Sequence, residues 1–138
     1  IEIEEYVHII QIEGRSLGDI ARNHVIPTAV KYQNILIDNV KGLKDIFGDD
    51  FKKYASEQLV LIADISQRIE AINSGVTTMT NERKKANTVK DTTKKASIYC
   101  NQVKPLFDDI RYHCDKLELL IDDELWPLAK YRELLFTK

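Results

Sequence analysis

CNQVKPLFDDIRYHCDKLELLI, running from Cys100 to Ile121, decides the fold class. Its residues Cys100, Val103, Phe107, Ile110, Cys114, Leu117 and Ile121 recur in alternating steps of three and four. An α-helix turns once in about 3.6 residues, so this spacing puts all seven side chains on one face. The stretch is one wall of a helical core. Pro105 interrupts it and predicts a kink or a break.

Two further stripes lie upstream. Ala21, Val25, Ala29, Tyr32, Leu36, Val40, Leu43 and Phe47 mark a long helix over residues 15–47, with Pro27 kinking it. Phe51, Ala55, Gln58, Ile62, Ile65, Ile69 and Ile72 mark a second helix over 50–73. Gly48-Asp49-Asp50 separates them, glycine ending one helix and aspartate ready to cap the next. Asn73-Ser74-Gly75 reads as the stop of the second helix, with Thr77, Thr78, Thr80 or Asn81 as the next cap. Residues 80–121 then share one register, through Arg83, Ala86, Val89 or Lys90, Thr93 and Ala96 into the opening stripe. Residues 2–13 read as an N-terminal helix, with a bend near Gly14. The expected fold is therefore all-α: residues 1–138 form a single helical domain, an antiparallel bundle of three to four long helices with a short C-terminal helical tail.

Composition agrees. Five Gly and three Pro in 138 residues are too few for a β-fold rich in tight turns. A net charge of −2 disfavours a dedicated nucleic-acid binder. No apolar run approaches the length needed to span a membrane, and residues 1–5 lack a basic signal-peptide start. The first residue is Ile1 rather than Met, which fits a processed chain or a piece of a longer protein.

No Rossmann or Walker glycine motif is present. Between residues 77 and 104 seven Lys or Arg face two acids, and between 105 and 126 two face seven. The basic run Arg83, Lys84, Lys85, Lys90, Lys94 and Lys95 lacks interleaved aromatics and reads as a solvated helix face, in part paired with Glu82 and Asp91. The acids Asp108, Asp109, Asp115, Asp122, Asp123 and Glu124 are strung along about four helical turns, not gathered as hard-cation ligands. His8, His24 and His113 have no helical His partner and read as ordinary core-edge residues. Cys100 and Cys114 lie 14 residues apart, too far along one helix to bridge, and read as small buried hydrophobes. No catalytic, cofactor-binding or metal constellation emerges.

The tail is less anonymous. Trp126-Pro127 forces an extended or turn conformation at residue 126, and Pro127 suits the first turn of a short helix. Trp126, Tyr131 and Phe136 are anchor-type side chains. With Pro127, Arg132 and Leu135 they make a candidate interface, packing either on their own helices or on another domain or subunit.

DDELWPLAKYRELLF (Asp122–Phe136) closely resembles the C-terminal end of type III glutamine synthetases. NHVIPTAVKYQN (Asn23–Asn34) and NVKGLK (Asn39–Lys44) resemble the first long helix of that family's C-terminal region, and PLFDDIRYHCDKLE (Pro105–Glu118) resembles its last helix. Ala129 departs from the pattern, since the family commonly has Pro there. The resemblance implies a cytoplasmic bacterial ligase, of which this chain is a non-catalytic C-terminal part. The whole enzyme would join ammonia to glutamate with ATP and Mg²⁺, in stacked rings of subunits. The implied partners are the upstream catalytic domain and neighbouring subunits of a ring-shaped homo-oligomer, with no nucleic acid and no membrane. No catalytic or metal residue of the family maps onto this chain. The alternative from the residues alone is a free-standing helical adaptor that binds a protein through its charged patches.

Overall fold

The computed structural model describes residues 2–126, and every regular element in that range is helical. The first helical run joins α1 (Ile3–Ile20), a five-residue π-turn (Ala21–Val25) and α2 (Ile26–Phe47) without a break. Glu4 and Glu5 in its first turn complement the positive end of the helix dipole. The N-terminal helix expected over 2–13 is thus fused to the one expected over 15–47. Gly14 and Gly18 do not end it, because both face the core. A Cβ on Gly14 would stand 3.3 Å from Phe107 Cζ and 3.3 Å from Arg83 Cδ.

Neither Pro27 nor Pro105 breaks its helix. The residue before each donates its N–H five residues back instead of four, Ile26 to the Ala21 carbonyl and Lys104 to the Tyr99 carbonyl. Proline has no N–H, and its ring crowds the carbonyl four residues before it. That carbonyl belongs to Asn23 for Pro27 and to Asn101 for Pro105, and both lie inside a π-turn. The wider turn makes room for the ring, and the helix continues.

The widening also changes which residues face inward. In the third run, comprising α4 (Thr92–Ile98), a π-turn (Tyr99–Val103) and α5 (Lys104–Leu120), the buried residues are Tyr99, Val103, Phe107, Ile110 and Leu117. Cys100, expected in this stripe, is exposed. A strict alternation of three and four steps back from Val103 to residue 100, but across a π-turn the step that returns to the same face is four.

Helix α3 (Phe51–Asn87) contains the largest departure from expectation. It passes straight through Asn73-Ser74-Gly75, so Thr77, Thr78, Thr80 and Asn81 are mid-helix and cap nothing. Glycine costs a helix about 1 kcal/mol relative to alanine. Here Gly75 is buried, and close contact with α5 outweighs that cost. The helix ends later, where the Thr88 hydroxyl donates to the Lys85 carbonyl at 2.7 Å. Asp91 then caps α4, accepting the Lys94 N–H at 3.1 Å. At the other end Gly48 takes φ +60° and ψ −132°, a positive-φ backbone that glycine tolerates because it has no Cβ. Asp50 makes no side-chain cap and lies 3.9 Å from Lys53 Nζ.

Side-chain bonds fix the pairing of the runs. Gln33 donates to Ser66 Oγ at 2.6 Å and to the Ile62 carbonyl at 2.9 Å, while Arg22 donates to Thr77 Oγ1 at 2.6 Å. As residue numbers rise along the first run they fall along α3, so the two are antiparallel. Arg68 meeting His113 and Gly75 meeting Ile110 set α5 antiparallel to α3 in the same way. Between the runs Ile65, Ile72, Met79, Phe107, Ile110 and Leu117 are fully buried. Each such side chain contributes about 1.5–3 kcal/mol on leaving water. Tyr99, a large polar side chain buried among the described core residues, is satisfied: its hydroxyl donates to Asn87 Oδ1 at 2.5 Å and accepts from Gln11 Nε2 at 3.1 Å. No described helix is long and apolar enough to cross a membrane.

Candidate functional site

Helix α5 ends at Leu120, and Ile121 is extended at φ −85° and ψ 144°. Asp122 then organises a turn. Its side chain accepts the Glu124 N–H at 3.0 Å, and its carbonyl accepts the N–H of Leu125 at 3.0 Å and of Trp126 at 3.2 Å. The turn carries Leu125 and Trp126 back against the core, where both are half-buried. Of the six candidate interface residues only Trp126 is described, and it packs on its own chain. Pro127, Tyr131, Arg132, Leu135 and Phe136 lie outside the described residues.

The charged runs behave as helix faces. Lys84, Lys90 and Lys94 are exposed, and Lys85 lies 3.4 Å from Glu82. The Thr88–Asp91 break divides the basic run between α3 and α4. Asp91 is committed to the helix cap rather than to a lysine side chain. Among the acids, Asp108 lies 3.9 Å from Arg111 and Asp109 lies 3.7 Å from His113. Among the described residues no three His, Cys, Asp or Glu side chains gather where they would hold a metal ion. The described residues do not fit a metal centre.

His113 is the best-connected titratable group. Arg68 Nη1 stands 3.1 Å from its Nδ1. A guanidinium only donates, so Nδ1 accepts and the proton of the neutral ring sits on Nε2, toward Asp109. Arg68 is oriented in turn by Asp64, 3.2 Å away, and lies over the Tyr112 ring at 5.4 Å. This chain of contacts ties α3 to α5 and offers no nucleophile. Cys114 beside it is half-buried, and burial, then the charge of Asp115, pushes its thiol up to about 11. It is a packing residue, as the sequence indicated, and not a reactive one.

A feature the periodicity missed lies at the α2–α3 hairpin. Helix α5 runs beside α3 from about Ile110, opposite Gly75, and stops at Leu120. Residues beyond that level, the end of α2 and the start of α3, project about 20 Å at a rise of 1.5 Å per residue. Ala55 is the only buried residue between Ile37 and Asp64. Ile46 is 75% exposed, Phe47 39%, Tyr54 54% and Val60 67%. Phe47, expected on the core face, instead stacks on Tyr54 across the hairpin with ring centroids 4.0 Å apart. It falls outside the core because the third run is too short to cover it. The off-stripe placing of Ile46, Tyr54 and Val60 was the available sequence signal.

Comparison with known proteins bears on what such a structure belongs to. A family model described as glutamine synthetase C-terminal domain matches residues 1–44. A protein named glutamine synthetase, from Bacteroides fragilis, is 47% identical over the whole chain. One named type-3 glutamine synthetase, from Dictyostelium discoideum, is 26% identical, again over the whole chain. The chain spans 19% of the length of each of these curated relatives. Residues 1–44 thus match the glutamine synthetase C-terminal domain family, and the whole chain is similar to one region of these relatives.

Proposed function

We propose that this chain is the C-terminal helical domain of a type III glutamine synthetase, and that it supports assembly of the enzyme rather than its chemistry. In this reading the whole protein is cytoplasmic and makes glutamine from glutamate, ammonia and ATP with Mg²⁺. The three helical runs act as one antiparallel bundle that holds the α2–α3 hairpin away from its body. The projecting hairpin, with Ile46, Phe47, Tyr54 and Val60 exposed at one end, carries the reading. Apolar side chains grouped on a projection favour burial against another surface, here the upstream catalytic domain or a neighbouring subunit of a ring.

The test uses the longer protein that contains this chain. Phe47→Ser combined with Tyr54→Ser removes the exposed aromatic pair while leaving the buried core intact. Light scattering should then show a smaller assembly, with the helical content of the domain retained. An unchanged assembly mass would overturn the interface role. Glutamine formation by the 138-residue chain alone, supplied with glutamate, ammonia, ATP and Mg²⁺, would overturn the non-catalytic role.

A further inference from the structure

A cleft of about 290 Å³ opens where α1 and the first π-turn cross α3. Gly14 and Gly18, with Val76 and Met79, make a floor of small and apolar surface. Arg15 of α1, Arg22 of the π-turn and Arg83 of α3 line its sides. Three arginines from three helical segments thus line one cleft, against a single carboxylate, Asp19.

The arginines are not spent on each other's neighbourhood. Among the described residues no carboxylate lies within 4 Å of Arg15 or Arg83. Arg83 Nε is buried with no hydrogen-bond acceptor. A buried donor on a charged group is costly to leave unmatched. Arg22 is held in place, its Nη2 donating to Thr77 Oγ1 at 2.6 Å and to the Asn73 carbonyl at 3.3 Å. A pre-positioned guanidinium loses little freedom on binding. Asp19 accepts from Asn23 Nδ2 at 2.6 Å and lies 4.0 Å from His24 Nε2.

We infer that this cleft binds the phosphate group of a small phosphate monoester carrying a hydroxyl. Guanidinium forks match phosphate and carboxylate oxygens. A carboxylate presents two oxygens in a plane, whereas a phosphate monoester presents three around a tetrahedron and carries nearly two charges at neutral pH. The second suits three arginines arriving from different sides. Asp19 on the wall repels a second carboxylate and accepts from a hydroxyl. The cleft's volume of about 290 Å³ leaves space for the remainder of the ligand. This inference is independent of the assembly role, since it concerns the opposite end of α3 from the projecting hairpin.

The 138-residue chain, ¹⁵N-labelled, is titrated with glycerol 3-phosphate at about 150 mM salt, where exposed charges are screened. Inorganic phosphate, succinate and glycerol are titrated in parallel. Saturable shifts at the Gly14 and Gly18 amides and at Arg83 Nε–H are expected with the ester, at a Kd below about 1 mM. Arg83→Lys keeps the charge but loses the planar fork and should weaken binding roughly tenfold. Arg15→Gln, an exposed change that leaves the fold untouched, should weaken it by roughly threefold or more. Shifts that never saturate, equal binding of succinate, binding of inorganic phosphate but not the ester, or an ester affinity unchanged in both variants would each overturn the assignment.

Discussion

A Cβ on Gly75 would stand 2.9 Å from Cγ1 of Ile110, closer than side chains in contact normally approach. The α3–α5 contact is therefore built on the absence of a side chain. Gly75→Ala gains about 1 kcal/mol of helix propensity but overpacks a rigid contact, which typically costs about 1–3 kcal/mol. A net destabilisation is expected in urea unfolding. It should shrink in an Ile110→Ala background, because the clashing atom is gone. A stabilised Gly75→Ala would show that the helices are not in close contact here.

Tyr99 is fully buried with a hydroxyl that both donates to Asn87 and accepts from Gln11. Tyr99→Phe preserves the packing and removes those bonds. Asn87 still accepts from Gln11 at 3.0 Å, so only part of the network is orphaned. The expected cost is about 1–2 kcal/mol. Cys100→Ala, one residue along and exposed, should change stability by less than about 0.5 kcal/mol. The pair of measurements separates the observed inward residue from the one a plain helical stripe predicts.

The two thiols should differ in reactivity. Cys100 is exposed, whereas burial, reinforced by the charge of Asp115, holds the Cys114 thiol up to about 11. An aromatic disulfide reagent at pH 8 should modify one thiol quickly and the second only after denaturant is added. The raised value also fixes a pH dependence. The unfolded chain releases this proton first, so the stabilisation from the neutral thiol is fully present below the ordinary thiol range, near pH 8.5, and is lost as pH rises through about 11. Relative to wild type, Cys114→Ala should lose less stability over that interval in parallel urea melts.

Trp126, the only tryptophan, is half-buried against the core just after the Asp122 turn. Its emission should be blue-shifted in the folded chain and move to the red on unfolding. Full burial of Trp would make truncation to alanine cost about 3–5 kcal/mol. With half the surface still wet, Trp126→Ala should cost roughly half that. A water-like emission spectrum in the folded chain would contradict the docked position.

The faces of the helices were legible because burial needs only a repeated side. Val103, Phe107, Ile110 and Leu117 are inward as their spacing required, and so are Ala55, Ile65 and Ile72. What the pattern could not reveal depends on contacts distant in sequence. Asn73-Ser74-Gly75 has the composition of a helix stop, and only the arrival of Ile110 explains why it is not one. Phe47 satisfies the stripe of its own helix and is left uncovered because α5 ends early. The arginines of the cleft come from three segments, and Arg83 looked like one member of a basic run. The family resemblance rested on long strings of residues, which preserve information that periodicity discards.

The two π-turns have a consequence for comparing this chain with its homologues. Closing a turn over five residues instead of four stores one additional residue while the helix on either side keeps its face. Measured along its axis, each helix is thus one residue shorter than its sequence. A one-residue length difference between relatives belongs at Ala21–Val25 or Tyr99–Val103, where it changes a local turn and little else. Placed anywhere else in these helices, the same gap would rotate every later side chain by about 100° and turn the core outward.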